Sequence, residues 1–331
     1  MTWKKHTIPS PKAGIRRLTI NYDYHLPVLI NEIIELMITD GSGLYIDGTL
    51  GGGGHTAEIL SKLNSRGRIY AFDKDPDAIR HCQRKFKNEL GSANSRIELI
   101  NASYDSAYSK EELHSEVSGI LLDLGVSSKQ LDDDKSGFSY RFESDLDMRF
   151  DPSQGITAKD LVHSATEEEL INVFSKYGEE PFSKRIAHRI IEHRRAFSLN
   201  TTFDLKKLIE LSVPQKTLNK TLSRVFQALR IAVNSELDVL ENTLTNFMPL
   251  LKDGGRILII SYHSLEDRIV KNKFKELAGN NAHKNKYKLE DRNKLGFKLY
   301  NRKPILPSNE EIKMNPRARS AKLRIGERVF N

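Results

Sequence analysis

The chain has 331 residues, 38% of them hydrophobic, enough to bury a full core and to make two domains. No apolar run of about 18 residues occurs, so no membrane span is expected, and a single cysteine, Cys82, excludes an internal disulfide and suits a reducing, cytoplasmic compartment. The net charge of +8 is uneven, because residues 256–331 hold 19 Lys/Arg against 8 Asp/Glu while residues 1–255 hold 33 against 36; such a block fits a polyanion such as RNA, and on charge alone fits a solvated Lys-rich face equally well.

Residues 1–24 read as an N-terminal extension, basic but without the apolar stretch of a secretory signal. Val28, Leu29, Ile33, Ile34 and Met37 recur at helical spacing and predict an opening helix. Short β-branched runs then alternate with helical patterns. Leu44-Tyr45-Ile46 leads into a glycine-rich loop, residues 68–72 end at Asp73, residues 96–100 follow, and Gly119-Ile120-Leu121-Leu122 ends at Asp123. Helical stretches at 57–63 and 77–90 separate them, as in a parallel sheet covered on both faces. From 132 to 220 the periodicity is helical throughout, with a capping box at Thr166 and Glu169, Gly178 as the expected stop, and a helix opened by Pro181. This predicts an all-helical insertion between residues 25–131 and 221–331 of one α/β domain. A long helix is expected over Leu222–Phe247, a fifth strand over 256–261, and a late antiparallel hairpin near 297–300 and 322–329 at the sheet edge. Residues 278–296 are polar and read as a loop.

The chemistry gathers at Asp47-Gly48-Thr49-Leu50-Gly51-Gly52-Gly53-Gly54-His55. Glycines between strand and helix let a ligand approach the backbone and meet helix N–H groups. Alone they are shared with dinucleotide folds. Asp47, just before them, suits a cofactor carrying a free amino group and would repel a pyrophosphate; its bland alternative is a helix cap. Asp73 ends the second strand, where a carboxylate accepts ribose hydroxyls, and Asp123 ends the fourth, at the same sheet edge. Loop and acids together favour S-adenosyl-methionine over a nicotinamide cofactor. Ten histidines without cysteine company or a His-Glu-x-x-His pair predict no metal site.

His25-Leu-Pro-Val28, the glycine loop, Leu121-Leu-Asp-Leu-Gly-Val-Ser-Ser128, Gln130-Leu-Asp-Asp133, Leu146-Asp-Met-Arg149, Tyr177-Gly-Glu-Glu180, Phe226-Gln-Ala-Leu-Arg230, Val233-Asn-Ser-Glu-Leu237, His263-Ser-Leu-Glu-Asp-Arg-Ile-Val270 and Asn315-Pro-Arg-Ala-Arg-Ser320 occur in order. In these motifs the chain resembles the ribosomal small-subunit RNA methyltransferase H family, over nearly its whole length. The resemblance implies a class I S-adenosyl-methionine-dependent methyltransferase fold, Rossmann-like, with a helical insertion serving RNA recognition. It implies methylation of the exocyclic N4 of a cytidine in the decoding region of small-subunit (16S) ribosomal RNA, free or in the assembled particle. It further implies cofactor contacts at Gly53, Gly54, His55, Asp73, Tyr104, Asp123 and Gln130. Members often carry Phe at the position of Tyr104, and either ring can lie on adenine.

The residues agree with an amine acceptor. Carbon-5 methylation needs a cysteine nucleophile, and Cys82 sits in the scaffold. No lysine ends the fourth or fifth strand to lower a ribose hydroxyl pKa. An exocyclic amine needs an acceptor for its N–H and good positioning; Asp123, or a side chain of the Tyr262-His263-Ser264 turn, is the candidate, with Asp123 and His263 singled out as catalytic. For RNA, Lys184, Arg185, His188, Arg189, Arg194 and Arg195 line one face of a helix, and Arg317, Arg319, Lys322 and Arg324 form a second basic group. These groups either grip phosphates or merely face water.

Overall fold

The computed structural model describes residues 27–279 and 296–330. The N-terminal extension at 1–24 and most of the polar stretch at 278–296 lie outside the described residues.

Seven strands form one sheet: β1 (Leu44–Asp47), β2 (Arg68–Asp73), β3 (Ile97–Asn101), β4 (Val117–Asp123), β5 (Leu251–Ser261), β6 (Phe297–Leu299) and β7 (Lys322–Arg328). Their order is β3-β2-β1-β4-β5-β7-β6. β1 to β5 are parallel, and β7 runs antiparallel to both β5 and β6. This is the class I methyltransferase sheet. The expected late antiparallel pair is present at the sheet edge, with β7 next to β5 and β6 outermost.

The central strands are apolar on both sides because helices cover both faces. One face packs Tyr45, Ile69, Leu121, Leu258 and Ile325 against α1 (Ile30–Met37), α2 (Gly54–Lys62) and α3 (Pro76–Lys85). A short α4 (Lys87–Leu90) follows Phe86, which breaks the helix expected over 77–90. The other face packs Ile46, Phe72, Ile120, Leu122 and Ile259 against two later helices. After β4 come α5 (Ser128–Asp132), α6 (Ala158–Ser164), α7 (Glu167–Gly178), α8 (Ser183–His193) and α9 (Thr202–Glu210), and the described residues between β4 and β5 contribute no strand to the sheet. They enclose a core of their own, with Leu146, Val162, Phe174, Ile190 and Leu205 at its centre.

The single long helix expected over 222–247 is two helices, α10 (Leu218–Asn234) and α11 (Glu236–Asn246). Ser235, at φ 51°, turns the chain through the left-handed region between them. The apolar stripe runs on through the break because the two halves serve different cores. Leu222, Val225 and Leu229 of α10 face the insertion, whereas Leu240 and Leu244 of α11 face the sheet. Arg230 bridges the bend to Glu236 with two hydrogen bonds, 2.7 and 3.0 Å.

Gly178 likewise has another reason than the one expected. The left-handed residue ending α7 is Glu179, at φ 48°. A side chain at Gly178 would sit 2.8 Å from the carbonyl oxygen of Arg224, so glycine is needed for the close approach of α7 to α10. The chain is completed by α12 (Ser264–Leu277) and α13 (Asn309–Met314), and no described helix is long and apolar enough to cross a membrane.

Candidate active site

The glycine loop is fixed before any ligand arrives. Gly48 N–H donates to Leu121 O, Leu50 N–H to Phe72 O, and Gly51 N–H to Asp73 Oδ2 at 2.7 Å. Lys85 Nζ reaches over from α3 to the carbonyls of Gly52 and Gly53. Gly53 caps α2 at φ 66°, and a Cβ there would lie 2.9 Å from Cys82 Sγ. A side chain at 53 would therefore meet both strained backbone and the floor of the loop. Gly54 then opens α2 at the wall of a cleft of about 1110 Å³.

Asp47 stands behind this loop rather than in the cleft. It is fully buried, accepting Thr49 N–H at 3.1 Å and Thr56 Oγ1–H at 2.6 Å. Burial raises its carboxyl above the usual range, against the opposing pull of His55. Asp47 does not line the cleft, and what it does in this structure is lock the first turn of α2 to β1.

Asp73 does face the cleft. Its oxygens take Gly51 N–H and Asp75 N–H, and burial pushes its carboxyl up to about 7. Gln130 caps α5 reciprocally with Ser127 and donates from Nε2 to Asp75 Oδ2 at 3.1 Å, which brings α5 to the same rim. Tyr104, between β3 and β4, lines the cleft beside Gly48. The glycine backbone, a carboxylate and an aromatic ring fit a ligand with a charged end, a ribose and a flat base.

Asp123 lies where this half meets the rest of the cleft. Tyr262 O–H donates to its Oδ1 at 2.8 Å, and Asp123 N–H donates to Thr49 Oγ1. Burial pushes the Asp123 carboxyl up to about 6, with His55 and the Tyr262 hydrogen bond working against that rise. His55 Nε2 is 3.0 Å from Val28 O, an acceptor only, so Nε2 carries a proton and Nδ1 is turned to Asp123 Oδ2 at 3.8 Å. The Val28 carbonyl is positioned by its neighbour: Leu29, buried at φ 54°, donates its N–H to Glu311 Oε1 at 2.7 Å. Sequence reasoning had no route to Glu311, which sits 282 positions from Leu29.

His263 is held differently. Its ring caps α12, with Nδ1 accepting Glu266 N–H at 3.4 Å. Nε2 comes within 3.1 Å of Glu266 Oε1 but is misaligned, leaving it buried without a hydrogen bond. Glu266 is itself buried and takes the Tyr262 and His263 N–H groups. Burial acts to raise its carboxyl, yet His263 and Arg230 outweigh that and hold it below the usual range.

The far half of the cleft is aromatic. Phe138 stacks on Phe150 at 5.5 Å, and Tyr140 meets Phe226 edge-on at 5.4 Å. These rings come from the insertion and α10. Of the basic groups expected at RNA, Arg317 and Arg319 line this half. Lys322 and Arg324 instead pair with Asp267 beside β7, Arg194 donates to the carbonyls of Val162 and Ala165, and His188 lies between Glu167 and Glu192. Cys82 is buried under the loop, and its thiol is pushed up to about 12 by that burial, so it offers no nucleophile.

The sequence profile of the MraW methylase family matches residues 23–329. The chain belongs to the MraW methylase family. Its relatives include proteins named ribosomal RNA small subunit methyltransferase H from Fusobacterium nucleatum, 42% identical, and from Halothermothrix orenii, 41% identical. The alignments cover 94% and 93% of this chain and 99% of each relative. As a methylase of this family the protein takes S-adenosyl-methionine as its methyl donor. The loop half of the cleft is the part of the molecule whose residues suit that donor.

Proposed function

We propose that this methylase transfers a methyl group from S-adenosyl-methionine to the exocyclic N4 of a cytidine in the decoding region of small-subunit ribosomal RNA. The names of its relatives support the RNA, and the carboxylate of Asp123 at the junction of the two cleft halves carries the reading of an amine acceptor. The bound cofactor supplies an electrophilic methyl group on a sulfonium. Gly53, Gly54, His55, Asp73, Tyr104, Asp123 and Gln130 hold it, with Asp47 shaping the loop behind them.

On the acceptor side, an exocyclic amine has its lone pair delocalised into the ring. A carboxylate accepting its N–H directs that pair outward and takes the proton lost after transfer. Asp123 has the position and, near pH 7, the charge for this, since its carboxyl titrates at about 6. Tyr140, with Phe226 buried edge-on behind it, offers a face for the base, which must be unpaired or flipped to enter. His263 assists by fixing the Tyr262 turn that points at Asp123. The helical insertion, residues 132–220, is in this reading the RNA-recognition part.

The test is to map methylated cytidines in small-subunit ribosomal RNA from cells with and without the protein. One N4-methylated position should vanish without it and return with the wild-type chain. Asp123→Ala should not restore it, and His263→Ala should restore it only in part while binding cofactor normally. Full restoration by the His263 variant would remove that residue from the reaction.

A further inference from the structure

Ser308-Asn309-Glu310-Glu311 has the spacing of a capping box, and the Ser308 hydroxyl accepts Glu311 N–H at the start of α13. In the boxes opened by Thr157, Thr166, Thr201 and His263, the third helical residue returns its carboxylate to the cap's own N–H. Glu311 instead sends Oε1 to Leu29 N–H, 2.7 Å away and 282 positions back in the chain. No residue of α13 is fully buried, so filling the core does not explain the placement of this helix. Leu29 is held at φ 54°, a left-handed conformation that costs a leucine energy.

Leu29 N–H and Val28 C=O are the two ends of one planar peptide. Glu311 takes its N–H, and the His55 Nε2–H donates to its oxygen at 3.0 Å. A charged acceptor on the N–H polarises the peptide and strengthens the carbonyl as a partner for His55. A neutral imidazole has one proton, and with that proton on Nε2 the other nitrogen has none to give. Asp123 Oδ2, 3.8 Å from Nδ1, therefore receives no hydrogen bond from His55. A released ring would gain by moving its proton to Nδ1 and donating it to Oδ2. That is the oxygen open to an amine, because Oδ1 already holds the Tyr262 hydroxyl. Asp47, Asp123 and Glu311 are the carboxylates facing His55, and of these Glu311 is the one bonded to the peptide. We propose that Glu311 is a positioning residue for methyl transfer, which acts through the Val28–Leu29 peptide to keep the His55 proton on Nε2 and Asp123 Oδ2 open for the acceptor amine. The inference rests on the amine reading above.

Two measurements test it: nitrogen-15 spectra of histidine-labelled protein without cofactor or RNA, and methylation of small ribosomal subunits taken from cells without the protein. In the wild type the neutral His55 ring should carry its proton on Nε2. Glu311→Ala should move much of that proton to Nδ1 and lower kcat about tenfold, the worth of one hydrogen bond to a charged group, with KM for the subunits unchanged. Glu311→Gln keeps an oxygen for Leu29 N–H and should restore the Nε2 signature and most of kcat. A proton that stays on Nε2 in Glu311→Ala would overturn the tether. One that moves without loss of kcat would overturn its part in the reaction. Loss of kcat in Glu311→Gln with the proton still on Nε2 would also sink the proposal, because the tether would then be intact and turnover lost by another route. Wild-type protein that methylates no subunits would overturn the amine reading instead, and the spectra alone would still decide the tether.

Discussion

The two halves of the cleft are built by different means. The loop half comes from three adjacent strand ends, β1, β2 and β4, and its shape is set by backbone hydrogen bonds and buried carboxylates. The aromatic half is assembled from residues 138–150, 223–234 and 315–320, which meet only when the insertion docks on the sheet. The first is preformed by local topology, as at other switch points of α/β sheets. The second depends on long-range packing and on ion pairs such as Arg141–Asp132–Arg317. Damage to one half should therefore leave the other half's ligand nearly untouched.

The largest effect should come from the loop half. Asp73→Asn removes a charged acceptor for two hydroxyls and should weaken cofactor binding roughly a hundredfold by titration calorimetry, with RNA affinity unchanged. The same experiment has a pH signature. Donors on the ligand favour the ionised carboxylate, so wild-type affinity should rise with pH up to about 7 and then level. The Asn variant should lose that rise, and a rise that persisted would assign it to another group.

A smaller effect is expected across the cleft. Tyr140→Ala should raise KM for RNA about tenfold, the worth of one stacked base, without moving cofactor affinity, while Tyr140→Phe should be near neutral. Equal losses for both ligands would show that the halves are not separable.

The smallest change probes the junction. An acceptor works only when ionised, so turnover should fall as pH drops through about 6, the value to which burial raises Asp123. Tyr262 donates to the carboxylate and thereby favours its ionised form. Tyr262→Phe should then shift the acid limb of the rate profile to higher pH, by roughly half a unit. A shift to lower pH would exclude Asp123 as the titrating group.

In the loop half, the glycines, Asp73 and Asp123 were legible because each follows a strand in order, whereas Tyr104 and Gln130 came only with the family resemblance. The alternation of β-branched runs and helices gave the strand ends, and the strand ends gave Asp73 and Asp123. The depth of Asp47 was not legible: the sequence shows a carboxylate before glycines but not that it is buried behind the loop with Thr49 and Thr56 as donors. The helix over 222–247 misled for a similar reason. An unbroken apolar stripe does not reveal that its two ends face different cores, nor that Ser235 adopts a left-handed turn. The tether of Leu29 to Glu311 and the meeting of Arg141 with Arg317 had no local signal at all. They are products of tertiary packing between distant segments.

The position of β7 bears on how the molecule is made. It pairs with β5 on one side and β6 on the other, so one of the last segments of the chain becomes an interior strand. Until it arrives, β5 presents its apolar Ile257-Leu258-Ile259-Ile260 run as an open edge, the kind of surface that recruits other chains. During synthesis, most of the catalytic cleft must therefore wait in an unfinished sheet. Loss of the final strand would be expected to yield aggregation rather than a smaller enzyme.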